Sequence, residues 1–424
     1  MNGSIFLLGT LLAMGHARSF DATPNASATD HRVVVTTVAD SGAGSLREAI
    51  LIANTECSAL LPCQIVFNVP SHELTNGVAT IRVATPLPSI SAPYIDIDGS
   101  SQTAFGGDTN ARGPEVELSG AALHAGDGLF FLTDDRCTPA FGPSASVNGI
   151  VINGFPGSAI LALPAQRCAF GSPLAVRDSY LGTDATGSRA IANERGIIAG
   201  AVRVAITGNV ISGNRRSGLF INDTFAGSVS DNRIGVGADG VTPLGNGASG
   251  IYIDANGGRT EILRNTIANN AEFGVAESVR SAHVLIDNNS IARNGRSGID
   301  IGLDHLPSGF DPVLLSARYD AARDTTTVTG RLDSKLPIGI CCTDGYTIAL
   351  YASAALGTGG DAQGERLLGK FPELSDRRFD FTFNVNGDLS GQWISAMAIH
   401  ATSIEFDTPA PRSSEFSNAV QVTR

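Results

Sequence analysis

Lysine is almost missing from this chain: its 424 residues contain two, Lys335 and Lys370, both in the C-terminal part. Charged side chains of all kinds make up 17%, and 41 acidic against 29 basic groups leave a net charge of −12. That balance excludes the basic surfaces which hold nucleic acid or anionic lipid. It also argues against long, salt-bridge-laced helices. Beyond the N-terminus no apolar run reaches the roughly 18 residues of a spanning helix, so no transmembrane segment is predicted. Neither a Cys-x-x-Cys pair nor two histidines at i and i+4 occur, and no metal site is predicted at the thiols.

Glycine is plentiful instead, with 49 residues. The first residues, Ile5 to Met14 followed by Gly15-His16-Ala17, form an apolar stretch ahead of a small-x-Ala site. They read as a signal peptide over residues 1–17, with residues 18–31 as a mobile leader. The expected location is therefore secreted or at the cell surface. The six cysteines fit an oxidising compartment. Cys57 with Cys63 closes a small loop and Cys137 with Cys168 a larger one, whereas Cys341 and Cys342 are adjacent; other pairings stay open.

The middle of the chain repeats. Ile206-Thr207-Gly208-Asn209-Val210-Ile211, Val229-Ser230-Asp231-Asn232-Arg233-Ile234, Ile262-Leu263-Arg264-Asn265-Thr266-Ile267 and Ile286-Asp287-Asn288-Asn289-Ser290-Ile291 align. Short second strands follow, such as Leu219-Phe220-Ile221 and Ile299-Asp300-Ile301, and Gly250, Gly274 and Gly298 are spaced by 24. Two or three short strands per 24 residues predict a solenoid whose alternate apolar residues fill a narrow core. Asn209, Asn232, Asn265 and Asn289 are expected to stack as a hydrogen-bonded ladder at one turn. A longer insertion occurs twice, at Gly182 to Gly187 and at Gly235 to Gly240.

Val33 to Asn54, containing Ser45-Leu46-Arg47-Glu48-Ala49, resembles the Ser-Leu-Arg-Glu-Ala-type N-terminal segment of bacterial exported right-handed parallel β-helix proteins. Ile97-Asp98-Gly99-Ser100-Ser101-Gln102 and the Asn-rich coils are similar to the same family. The resemblance implies a right-handed parallel β-helix over residues 32–311. It leaves activity open, because such proteins include adhesins and carbohydrate-active enzymes. Ser45 to Glu48 also reads as a capping box, opening an amphipathic helix that covers the first coil with Leu46, Ala49, Ile50 and Ala53, with Arg47 and Glu48 on its solvated side.

From Pro312 the period gives way to longer alternating strands: Val313 to Tyr319, Thr325 to Leu332, Tyr346 to Ala352, Phe379 to Val385, Trp393 to His400 and Ser417 to Val422. Residues 312–424 are expected to form an immunoglobulin-like β-sandwich around Trp393. The fold class is thus all-β, a solenoid followed by a sandwich, with Gly309-Phe310-Asp311-Pro312 as the junction. Binding by the solenoid is expected not to depend on the sandwich.

A solenoid shows its outward side chains in rows about 4.8 Å apart, which suits a linear polymer. Strand parity places Phe220, Tyr252, Ala276 and Asp300 in one outward row, flanked by Asn222, Asp254 and Ser278. Aromatic faces beside carboxylates suit pyranose rings. Arg216 and Arg296 occupy equivalent turns ahead of two of these strands. Phe220, Tyr252, Asp254, Asp300, Arg216 and Arg296 are the candidate substrate-binding residues. Candidate catalytic acids are Glu277, which falls at the inward parity, and the adjacent Asp134 and Asp135. The missing lysines exclude lysine-based lyase chemistry from the solenoid. No cofactor is expected; calcium at Asp184 and Asp239 of the insertions is the one metal considered. The functional expectation is a protein that binds a polysaccharide or cell-surface glycan; the alternatives are a polysaccharide lyase or glycoside hydrolase, and a structural spacer or adhesin stalk.

Overall fold

The computed structural model describes residues 31–424 apart from 59–60, 134–144, 165–170, 201, 223–225, 255–258, 279–282, 303–308, 336–344, 372–377 and 404–409. Asp134, Asp135, Cys137, Cys168, Cys341, Cys342 and the signal-peptide segment lie outside these residues. The chain is a parallel β-helix followed by two antiparallel sheets. Its first strand starts at His31, one residue earlier than expected.

Three parallel sheets of nine, eight and seven strands form the walls of the helix. The first runs from His31–Val35 to His283–Asp287, the second from Ala79–Arg82 to Ser290–Ala292, and the third from Leu129–Thr133 to Ile299–Ile301. Parity sends alternate residues inward. Ile206, Val229, Ile262 and Ile286 stack in register on the first wall, and Leu219, Ile251, Val275 and Ile299 on the third. All eight are at most 2% exposed.

Turns between the walls are held by two ladders, where one was expected. In the first, the backbone N–H of Asn209 donates to Asn232 Oδ1 at 3.0 Å, Asn232 to Asn265 at 2.9 Å and Asn265 to Asn289 at 2.8 Å. The residue before each of these asparagines has positive φ: Gly208, Asp231, Arg264 and Asn288. The second ladder, Asn193, Asn214, Asn246, Asn270 and Asn294, closes the turn into the third wall. Both rows are buried, so each amide satisfies backbone groups that water cannot reach.

The N-terminal helix, α1 (Leu46–Glu56), buries Leu46, Ala49, Ile50 and Ala53 over the first coil. Ser45 Oγ accepts from Glu48 N, while Glu48 Oε2 accepts from Gly44 N at 2.6 Å. Arg47 is not on a solvated face. Its guanidinium pairs with Asp40 at 2.8 Å and donates to the carbonyls of Thr85 and Pro86, clamping the helix to the coil beneath. The Ile97-to-Gln102 motif is architectural too. Gln102 satisfies both the N–H and the carbonyl of Val69, and Ser101 Oγ accepts from Phe67 N. Cys57 and Cys63 form a disulfide.

After residue 312 the strands are antiparallel. Val313–Asp320, Thr325–Asp333 and Arg378–Asn386 form one sheet; Arg366–Lys370, Tyr346–Ser353, Trp393–Ser403, Ala410–Ser413 and Val420–Gln421 form the other. Two short strands, Arg366–Lys370 and Ala410–Ser413, escaped the alternation pattern. The core contains Phe310, Tyr346, Phe381 and Phe383, whereas Trp393 is only half-buried. Phe310 explains the junction motif: it is 1% exposed and anchors this core.

The two parts are not independent. Ser413 Oγ accepts from Ile286 N and donates to Ile286 O on the first wall. Gly364 exchanges two backbone bonds of 2.8 Å with Ile291 on the second, and Glu415 Oε1 accepts from Ile301 N on the third. Gln363 Oε1 accepts from Asn294 N at 3.0 Å, taking the place of the next asparagine in the second ladder. Tyr351, Ala349 and Met397 join the solenoid core. The antiparallel part therefore seals the last coil, whose strand edges would otherwise be unpaired.

Candidate functional site

Of the three outer faces, the second is covered in part, since Arg233, in register with Val210, is exposed. Its outward Val151 and Val210 are at most 1% exposed because the two insertions fold over it, with Ala238 N donating to Gly187 O. In those insertions Asp184 Oδ1 accepts from Ser188 N and Arg189 N, and Asp239 accepts from Val241 N, Thr242 N and Thr242 Oγ1. These bonds hold the Asp239 carboxyl down at about 2. Both carboxylates, the residues considered for calcium, thus organise their own loops through local hydrogen bonds.

The third wall carries the aromatic row. Register joins Phe220 to Tyr252, Tyr252 to Ala276 and Ala276 to Asp300. The Phe220 and Tyr252 rings stack with centroids 5.3 Å apart and planes 5° from parallel, both half-buried. Toward the N-terminus the same row continues through Ile198, Leu161 and Phe130, all half-buried. Sequence alignment missed this extension, since Ser179 and Phe155 stand where later coils carry ladder asparagines, their backbone N–H groups donating to Asn209 and Asn193.

On the far side of the strands Asn222 and Asp254 are adjacent, and Ser278 Oγ donates to Asp254 Oδ1. The Tyr252 phenol is raised above its usual range, mainly by burial and secondarily by the Asp254 charge, against a Ser278 hydrogen bond that lowers it. On the near side lie the turns with Arg216 and Arg296, both exposed. Arg216 Nε is 3.8 Å from Glu194, and the Arg296 guanidinium sits 5.4 Å from the Phe273 ring centroid. Arg195, not among the expected residues, lies 5.7 Å over the Phe220 ring. Its signal was a turn one residue shorter, Asn193-Glu194-Arg195-Gly196 against Asn214-Arg215-Arg216-Ser217-Gly218.

Two of the expected residues are withdrawn from this surface. Asp300 is 2% exposed, in the coil on which Glu415 and Phe416 seat. It shares the strand parity of Ala276 and Tyr252, but the sealing of the last coil buries it. Glu277 is also 2% exposed and stacks in register between Ile253 and Ile301, on the inward parity. A carboxyl there faces the interior, so it cannot touch a polymer lying on the outer wall. The outward set brought together is Phe220, Tyr252, Asp254, Arg195 and Arg216, with Arg296 two coils beyond Tyr252.

No curated protein matches the chain. Among solved structures, it is similar at 8% identity to the tailspike protein gp49 from Acinetobacter baumannii bacteriophage Fri1, a capsular polysaccharide depolymerase. That likeness covers 84% of this chain and 76% of the other, with a TM-score of 0.22. Copper is held in proteins chiefly by imidazole, thiolate and thioether donors. Residues 175–300 contain one histidine, His283, and neither cysteine nor methionine. Among the described residues no three His, Cys, Asp or Glu side chains converge, so the donor set there does not fit copper. It is over this segment, residues 175–300, that the chain is similar to the family described as NosD, periplasmic copper-binding protein.

Proposed function

We propose that the protein binds a glycan along the outer face of the third wall. The stacked Phe220–Tyr252 pair carries the reading. It sets two stacked, nearly parallel rings at the spacing of adjacent coils, with Asn222 and Asp254 at one end of the strands and arginines at the other. Apolar C–H faces and hydroxyls of a pyranose match that layout. Export is part of the proposal: the Cys57–Cys63 disulfide suits an oxidising compartment, and the family model matched over residues 175–300 is described as periplasmic.

Tyr252→Ala should weaken binding to a glycan-array hit by roughly tenfold, the loss of a stacking platform with its contact area. The melting temperature should hardly change, since the ring is half-exposed. Equal binding after truncating both Phe220 and Tyr252 would remove this face from consideration and favour the spacer reading.

A lyase or hydrolase is the second reading, favoured by the corner where Tyr252, Ser278 and Asp254 meet. Asp254→Asn separates the two. A binder should keep its affinity within a few-fold, whereas an enzyme using that carboxylate should lose turnover by orders of magnitude in a reducing-end assay.

A further inference from the structure

On a chain with net charge −12, cations gather beside the aromatic row. Arg195 precedes the strand Ile197–Gly200, and Arg215 and Arg216 precede Leu219–Asn222 in the next coil. Backbone bonds from Arg215 N to Asn193 O and from Arg216 N to Glu194 O, 2.9 and 2.8 Å long, fix the two turns one upon the other. Arg215 donates to the Phe155 carbonyl at 3.3 Å. Arg195 and Arg216 are differently placed. The Arg195 guanidinium rests over Phe220, and the nearest carboxylate to Arg216, Glu194, stays at 3.8 Å, beyond hydrogen-bond distance. Among the described residues no carbonyl or carboxylate takes a hydrogen bond from either guanidinium. Partial burial, followed by the charge of Arg216, holds Arg195 below the usual arginine range, against the opposing pull of Glu194. Two mutually repelling guanidiniums, with planar donors unused, are complementary to an anion. The negative Asp254 lies at the other end of the strands, where it faces Ser278.

We infer that Arg195 and Arg216 form an anion subsite next to Phe220, and that the glycan bound on this face is an acidic polysaccharide. Its ring packs on Phe220 and Tyr252, its carboxylate or sulfate meets the two guanidiniums, and its hydroxyls turn toward Asn222 and Asp254. This inference rests on the glycan reading of the third wall and narrows it to one class of polymer.

The test uses the full chain and matched pairs of immobilised probes. Polygalacturonate, alginate and hyaluronan are each compared with their carboxyl-reduced forms, and dextran sulfate with dextran. The first three pairs report carboxylate, the last sulfate. Wild type should prefer the acidic member of at least one pair by about tenfold or more, the scale of a charge-assisted contact. Arg195→Gln with Arg216→Gln should abolish that preference while retaining binding to the neutral member. Arg259→Gln, at an exposed arginine paired with Glu261 on the first wall, should leave the preference intact and so exclude a diffuse charge effect. Equal binding within every pair, or a preference that survives the double variant, overturns the anion subsite. If wild type shows no preference yet Phe220→Ala with Tyr252→Ala abolishes binding, the glycan reading stands and the acidic one falls. If no probe binds, or the aromatic double variant binds unchanged, both fall together.

Discussion

A chain ended after Asp311 should fail to remain a soluble monomer. The antiparallel part supplies partners to all three walls of the last coil: Ser413 to Ile286, Gly364 to Ile291 and Glu415 to Ile301. It also buries Tyr351, Ala349 and Met397 against the solenoid core. Removing it would leave Ile286, Ile291 and Ile299 facing water beside open strand edges, a template for end-to-end pairing. Light scattering of the shortened chain should show aggregates or open-ended oligomers. A milder form of the experiment keeps the full chain. Gln363→Ala leaves the buried Asn294 N–H without its acceptor, which should cost about 1–3 kcal/mol. Hydrogen exchange should then quicken in the last coils and not around α1, because solenoid units feel mainly their neighbours. A monomeric, equally stable shortened chain would contradict this account. It would also restore the expectation that the two parts act separately.

The solenoid was legible because its signals are local. Period, strand parity and the asparagine turn each recur within one coil, so Asn209, Asn232, Asn265 and Asn289 could be assigned from alignment alone. The capping helix was equally plain, from Ser45 and Glu48 at capping spacing and four apolar residues on one face. What escaped was set by contacts far apart in sequence. Asp300 has outward parity yet is buried, because residues more than a hundred positions later fold onto its coil. Gln363 ends a ladder made otherwise of asparagines, and nothing near it in the sequence repeats. Arg47 looked solvated on a helical wheel but reaches carbonyls at residues 85 and 86. The candidate site shows the same division: Phe220 and Tyr252 came from parity, whereas Arg195 came from a shortened turn whose effect depends on how two coils stack.

The ladder gives the second large effect. Asn265 is 1% exposed and makes a dense set of bonds. Its Oδ1 accepts from Asn232 N and Asn232 Nδ2, both at 2.9 Å, while its Nδ2 donates to Val229 O at 2.8 Å and to Asn289 Oδ1 at 3.0 Å. Alanine there would strand a backbone N–H and a carbonyl in a place water cannot enter. At about 1–3 kcal/mol for each unsatisfied group, Asn265→Ala should destabilise the solenoid by about 3–5 kcal/mol. Asn246→Ala in the second ladder should behave alike, since its Oδ1 accepts from Asn214 and its Nδ2 donates to Ile211 O. Van der Waals contact alone would predict far less, because the lost side chain is small and polar. Denaturant titration of both variants decides between the two accounts. A loss under about 1 kcal/mol at each site would mean that the asparagines follow the turn geometry, with Asp231, Arg264 and Asn288 already held at positive φ, and do not sustain it.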